Sequence, residues 1–242
     1  MPMKGNAIQT QVAIVDYGLG NLFSVKHACE FAGLQAAVTS TRDLILAADA
    51  VILPGVGAFG DAMGALERLD LVGPLRDVAS SGKPLVGICL GMQLLMTESY
   101  EFGLHKGLGL ARGPVVHFDN PMEGGKRCKV PQVGWNRIYR RTDASRETPE
   151  ATSGQDPWGA SLLRGLADGE FMYFVHSFYC RPEDRDVVLS FSQYGHVEFC
   201  SSLKMGNVYG FQFHPERSGP RGLEIYSNLA AAITRRRNDK ED

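Results

Sequence analysis

The sequence predicts an α/β protein built on a mixed, mostly parallel open sheet with helices on both faces. Three observations predict it. The first half alternates short apolar runs with helical patterns, the second half is richer in strand-like runs, and an amphipathic segment closes the chain. Alternation of this kind brings successive strands side by side in parallel, because each helix carries the chain back across a face of the sheet.

Taken in order, Val12 to Val15 is a short apolar strand, and Asn21 to Phe31 carries apolar residues at helical spacing. Ala36 to Thr39 is a second strand. Ala50 to Leu53 is a third, with Pro54-Gly55 as its stop signal. Asp61 to Leu69 and Gly73 to Ala79 read as helices, Leu85 to Ile88 as a strand and Met92 to Thr97 as helical again. Beyond these the expected strands are Val115-Phe118, Ile138-Arg141, Phe171-Val175, Val187-Phe191, Val197-Ser201 and Val208-Phe213. Gly222 to Arg235 is the closing helix. Thr142 to Asp156 is polar with hardly an apolar residue, which reads as a surface insertion without a core of its own. Strands flank it on both sides, so the reading is one domain over 1–242, with its core at about 11–235 and the insertion at 142–156.

The 242 residues suffice for a full hydrophobic core, and 44% hydrophobic with 21% charged residues is ordinary globular composition. A net charge of −2 gives no strong pull on nucleic acid or an anionic membrane. The basic run Arg235-Arg236-Arg237 is followed by Asp239, Glu241 and Asp242 and reads as a solvated helix end. No apolar run reaches the length of a membrane span, and Met1 to Thr10 lacks a signal core, so a cytoplasmic protein is expected. The five cysteines, Cys29, Cys89, Cys128, Cys180 and Cys200, form no CxxC pair and suggest no disulfide framework. Neither cofactor nor metal is called for.

One cysteine stands apart. Gly87-Ile88-Cys89-Leu90-Gly91 joins an apolar strand to a helical pattern, the setting of a nucleophile elbow with Cys in the place of Ser. A strand turning that sharply into a helix strains its nucleophile, and side chains two residues to either side would collide. A helix N-terminus beneath the sulfur favours the thiolate, the reactive species. The N–H of Leu90 points into the same space as half of an oxyanion hole. The other reading is a buried structural Cys at a strand end.

A thiolate that must hand a proton to a leaving amine needs an acid/base beside it. His214, in Phe213-His214-Pro215-Glu216, ends an apolar strand, and Pro215 forces it into extended conformation. Residues two apart then share a side, so Glu216 can accept the Nδ1 hydrogen bond that sets the imidazole tautomer. As a metal pair, His-x-Glu lacks a third ligand at suggestive spacing. His27 reads as solvent-exposed, His105, His117 and His196 have no evident partner, and His176 reads as a structural His ending an apolar strand. Pro54-Gly55-Val56-Gly57, after the third strand, matches no phosphate-loop pattern but can present backbone N–H groups to an oxyanion.

Together, Gly87-Ile88-Cys89-Leu90-Gly91-Met92-Gln93 and His214-Pro215-Glu216 resemble the triad-type, class I glutamine amidotransferases, whose core is flavodoxin-like. Within that class the chain is most similar to the glutaminase subunits of imidazole glycerol phosphate synthase. The narrowing segments are Asp16 to Asn21, Pro54 to Gly57, Pro131 to Asn136, Tyr173 to Ser177 and Phe211 to Gly219, and the likeness runs from about Val12 to about Ala232. The resemblance implies that Cys89 forms a glutamyl thioester while His214, oriented by Glu216, moves the protons. It implies an oxyanion hole from Leu90, Val56 and Gly57, completed by a partner-triggered peptide flip, and glutamine contacts at Gln93, Ser177 and Phe178. It implies a heterodimer with a cyclase subunit that receives the ammonia to make imidazole glycerol phosphate and AICAR in histidine biosynthesis, with Asn21, Trp135 and Arg217 at or near the interface.

Two departures stand out. Gln132-Val133 replaces the His-Met of many relatives, and the 142–156 stretch is longer than usual. Other readings stay open. A paralogue could feed ammonia to another synthase, for example in surface-polysaccharide amidation. A non-catalytic module of the same fold would signal itself by losing Cys89, His214 or Glu216, all of which are present. A stand-alone Cys hydrolase would need an oxyanion hole formed without a partner.

Overall fold

The computed structural model describes residues 11–141, 156 and 158–241. Its first half alternates as expected: β1 (Gln11–Val15), α1 (Leu22–Phe31), β2 (Gln35–Thr39), α2 (Arg42–Ala47), β3 (Ala50–Gly55), α3 (Phe59–Arg68), α4 (Val72–Ser80) and β4 (Leu85–Cys89). Then come α5 (Leu90–Leu94), β5 (Met96–Ser99), β6 (His105–Lys106), β7 (Ala111–His117), β8 (Met122–Glu123) and β9 (Lys126–Arg127). The strand-rich half holds β10 (Gln132–Arg140), β11 (Glu170–His176), β12 (Phe178–Cys180), β13 (Val188–Tyr194), β14 (Val197–Met205) and β15 (Val208–Phe211), and α6 (Gly219–Glu241) closes it.

The large sheet runs β11-β10-β13-β14-β15-β4-β3-β1-β2. From β15 to β2 every pairing is parallel. From β11 to β15 every pairing is antiparallel. The sheet is therefore mixed, with the two kinds of pairing equal in number where the sequence suggested a parallel majority. Connection length decides this. Only Gly195-His196 separates β13 from β14, and only Gly206-Asn207 separates β14 from β15, with Gly195 at φ 59° and Gly206 at φ 55°. Two-residue turns permit antiparallel return alone. A second sheet, β12-β7-β5-β6, lies beside the first.

Helices cover both faces of the parallel half. Along β3, Ala50 and Ile52 join a core with Val25, Ala28 and Cys29 of α1 and Ile225, Tyr226, Leu229 and Ile233 of α6. Val51 and Leu53 join the opposite core with Ile45 of α2, Phe59 and Leu66 of α3 and Leu75 of α4. All residues of β3 and β4 are buried, which is why both read as continuous apolar runs without alternation.

Four local expectations are corrected. Pro54-Gly55 does not stop β3, which stays paired to β4 through Gly55↔Cys89. Pairing with β1 ends at Ile52, so Pro54 meets a neighbouring strand on one side only and its missing N–H breaks no ladder. The helix expected over Met92 to Thr97 ends at Leu94, and Met96 enters β5. That run is buried throughout Leu90–Met96, and periodicity cannot separate helix from strand there. α6 continues to Glu241, past the expected core limit of 235. Its basic run is not a free solvated end: Arg236 donates to the Ser81 carbonyl at 3.0 Å, and Arg237 pairs with Asp49 at 2.6 Å. The expected insertion 142–156 lies outside the described residues except Asp156, which pairs with Arg140 at 3.1 Å.

Candidate active site

The carboxyl ends of parallel strands collect the loops of an open α/β sheet and so form its site. Here the segments after β1, β3, β4 and β15 meet at that edge. They frame a cleft of about 540 Å³, joined by the end of β11.

β4 turns into α5 at Cys89, which sits at φ 54° and ψ −110° and is 7% exposed. No L-residue adopts that backbone without strain, here of order 1–3 kcal/mol. The flanking glycines show why the turn closes. A Cβ on Gly87 would lie 2.6 Å from the Gly91 carbonyl oxygen, and one on Gly91 would lie 1.7 Å from that of Leu53. α5 is only five residues long, so its summed dipole is small and the groups around the sulfur dominate its electrostatics. Leu90 begins that helix, where the N–H has no intrahelical acceptor.

β15 ends just short of His214, which is 6% exposed and held by its own N–H on the Tyr173 carbonyl at 2.9 Å. Its Nδ1 lies 2.9 Å from Glu216 Oε1. Pro215–Arg217 is a 3₁₀ turn, so Glu216 reaches the imidazole across a tight turn and not along an extended strand as expected. The Glu216 side chain is 1% exposed, and its Oε2 has no partner among the described residues. Burial pushes the His214 pKa down, but hydrogen bonds to Cys89 and Glu216 and the attraction of both charges outweigh it and raise it to about 10. Imidazolium is thus favoured wherever sulfur or carboxylate is ionised. Ser218 braces the assembly, donating to the His214 carbonyl at 2.6 Å and accepting from Tyr173 N–H at 3.0 Å.

Most sequence candidates meet in the cleft. Cys89, Leu90, Val56, Gly57, Gln93, Ser177, Phe178, Asn21, Arg217 and His214 all line it. Glu216 lies beneath His214. Trp135 lies outside the cleft, half-exposed on β10, edge-on to Tyr173 at 5.9 Å. The Arg217 guanidinium covers the same Tyr173 ring at 4.9 Å, so the three form one surface beside the cleft. The turn after β3 is held from below: Tyr17 donates to the Pro54 carbonyl at 2.7 Å, and Gly57 stands at φ 100°.

Three polar lining residues were given no role by the sequence reading. Glu101, 9% exposed, is the one carboxylate among the described residues that lines the cleft, and it also accepts from Phe59 N–H at 2.6 Å, capping α3 from a distant loop. Nothing in its local pattern marks it. His117 had no evident partner in the sequence and His176 read as structural, yet both line the cleft. His176 Nδ1 lies 2.8 Å from the Phe178 carbonyl, an acceptor, so Nδ1 carries the hydrogen. Burial, with a smaller contribution from nearby His214, lowers the His176 pKa to about 4 against the pull of that hydrogen bond.

Comparison with known proteins agrees with this geometry. Residues 13–232 match the family described as glutamine amidotransferase class-I. The imidazole glycerol phosphate synthase subunit HisH of Rhodopirellula baltica is 44% identical over 221 residues, covering 91% of this chain and 97% of that protein. The same subunit of Geobacter sulfurreducens is 43% identical over 223 residues, covering 91% and 98%. Among solved structures, PurLQS from Thermotoga maritima matches with TM-score 0.63 at 20% identity, covering 93% of this chain and 100% of that chain. A structure described as a glutamine amidotransferase matches with TM-score 0.64 at 19% identity, covering 91% and 98%. At such identity these two speak for the fold alone.

Proposed function

We propose a reaction path for a chain that belongs to the class-I glutamine amidotransferases and, within them, to the HisH subunits of imidazole glycerol phosphate synthase: Cys89 is the nucleophile, His214 the acid/base and Glu216 its orienter. The chain hydrolyses glutamine and supplies the ammonia to the cyclase subunit of that synthase, in histidine biosynthesis. The observation that carries the residue roles is that buried Cys89 and His214 line the same cleft while His214 Nδ1 lies 2.9 Å from the buried Glu216 Oε1.

The Cys89 thiolate attacks the carboxamide carbon. The carbonyl oxygen gains the negative charge, which the Leu90 N–H and the Val56-Gly57 turn are sited to receive. Imidazolium His214 gives its proton to the amide nitrogen, and the C–N bond breaks to release ammonia and leave a glutamyl thioester. Water then attacks the thioester, His214 takes its proton, and the C–S bond breaks to give glutamate and the thiolate. Gln93, Ser177 and Phe178 are positioned to hold the substrate, and Glu101 offers the carboxylate that an α-ammonium group needs. Asn21, Trp135 and Arg217 belong to the docking surface in this reading. The location is cytoplasmic, a compartment that keeps free cysteines such as Cys29 and Cys200 reduced.

The test is glutamate release from glutamine by the purified chain, alone and with the cyclase subunit of the same organism. Release is expected to rise sharply on adding the cyclase and its ligand, and to fall to background in Cys89→Ala, a loss of up to about 10⁶-fold. Glutamate release surviving in Cys89→Ala would remove the nucleophile assignment. No response to the cyclase would redirect the ammonia to a different synthase.

A further inference from the structure

Gln212 has no task in the path above, yet it touches the nucleophile. It is fully buried between β15 and His214, and its backbone N–H is anchored on the Ser201 carbonyl at 2.9 Å. Its side chain lies between Cys89 and Gln93.

A backbone carbonyl decides which way that amide faces. The Phe178 oxygen can only accept, so the Gln93 atom 2.9 Å from it is the amide nitrogen. The same nitrogen lies 3.1 Å from the Gln212 side chain. Two amide NH₂ groups cannot bond to each other, so Gln212 offers Oε1 there. Its NH₂ end is then turned toward Cys89 Sγ, 3.8 Å away. His176 Nδ1 donates to the same Phe178 oxygen at 2.8 Å and occupies its second lone pair. Turning Gln93 over would set two oxygens against each other at Phe178 and two donorless oxygens at Gln212. The whole relay therefore has one sense.

The sulfur has a further polar neighbour of opposite character. The Val175 carbonyl lies 3.7 Å from Sγ. A thiol donates to it, whereas a thiolate is repelled by it. The Gln212 N–H therefore joins His214 as a group that favours the charged sulfur.

We propose that Gln212 is a positioning residue for the nucleophile: locked through Gln93 on the Phe178 carbonyl, it aims an N–H at Cys89 Sγ and holds the sulfur as thiolate. The proposal rests on Cys89 being the nucleophile. Because Gln93 commits both amide hydrogens to the lock, Oε1 is the polar atom it has left for an N–H donor of the substrate.

The test is the rate of Cys89 alkylation by iodoacetamide in the full chain, followed by peptide-resolved mass spectrometry across pH. The variant is Gln212→Met, similar in length and unable to donate. Its alkylation at neutral pH is expected to fall roughly tenfold, the midpoint of its pH profile to move up by about one unit, and kcat to drop by a similar factor. Gln212→Glu, which faces the sulfur with an acceptor, should move the midpoint further. A pH profile of Gln212→Met superimposable on wild type overturns the proposal, since a purely structural residue leaves that midpoint in place. Should Gln212→Met not fold, Gln93→Met opens the same lock from its other end, and an unchanged profile there overturns it equally. A wild-type Cys89 no more reactive than the partly exposed Cys128 would instead defeat the nucleophile reading itself.

Discussion

Two histidines in one cleft are driven in opposite directions. His214 faces a carboxylate and a sulfur that outweigh its burial and raise it to about 10, whereas burial, with a smaller push from His214, lowers His176 to about 4 against the pull of its carbonyl partner. The second shift makes a stability prediction. A histidine whose folded pKa is depressed stabilises the fold above its unfolded pKa of 6.5 and loses that contribution as pH falls toward about 4. The drop across that window amounts to roughly 3 kcal/mol from this residue. His176→Asn keeps a donor for the Phe178 carbonyl but cannot titrate. Urea unfolding at several pH values should show the wild type losing its advantage over the variant between pH 6.5 and 4. Parallel curves for the two proteins would refute the buried neutral histidine. Of the residues in the cleft, Cys89 and His214 were legible because special neighbours surround them in the chain, glycines for one and Pro-Glu for the other. Glu101 and Gln212 are given roles by contacts with residues far away in the chain, and His117 and His176 by a place in the cleft that their own strands do not announce.

Among the elements, the elbow between β4 and α5 depends most strictly on local sequence. Gly91 lies so close to β3 that any side chain would enter the Leu53 carbonyl. Gly91→Ala is expected to cost about 3 kcal/mol or more, because backbone must move and no flexible side chain can yield. Urea denaturation of the variant measures this, and a loss below about 1 kcal/mol would show that β3 and α5 can part freely. The His214 turn shows the opposite lesson. Pro215 and Glu216 were read as a strand end with alternating side chains, but a 3₁₀ turn makes the same contact by curling. The pairing was legible and its geometry was not, since both conformations place residues two apart within reach. β5 was missed because Met96 continues the buried run of α5, where periodicity cannot mark the change from helix to strand, and the six-residue α2 was missed as well.

At the scale of the whole molecule, the two halves of the sheet divide the labour. Parallel strands deliver Cys89 and the Val56-Gly57 turn, and the antiparallel strands β10 and β11 carry the half-exposed aromatic surface beside the cleft. Trp135 is 55% exposed on that surface, whereas Trp158 is fully buried with its indole N–H on the Leu189 carbonyl at 2.8 Å. These are the two tryptophans of the chain. If the cyclase docks on this face, its addition should shift the emission of Trp135 toward the blue while Trp158 stays constant. Trp135→Phe should abolish the change. A shift that persists in Trp135→Phe would place the docking surface elsewhere.

The sequence by itself determined the α/β class, the elbow at Cys89, the His214 and Glu216 pairing and the family, since each depends on residues close in the chain or on whole-length likeness. Only the tertiary structure decided the equal division of the sheet, the return of the basic helix end onto the body and the inward roles of Glu101 and His176. It alone joined Phe178, Gln93, Gln212 and Cys89 into one relay. Local periodicity and turn chemistry act over a few residues, whereas hydrogen bonds between residues more than eighty positions apart exist only once the sheet has brought its strand ends together.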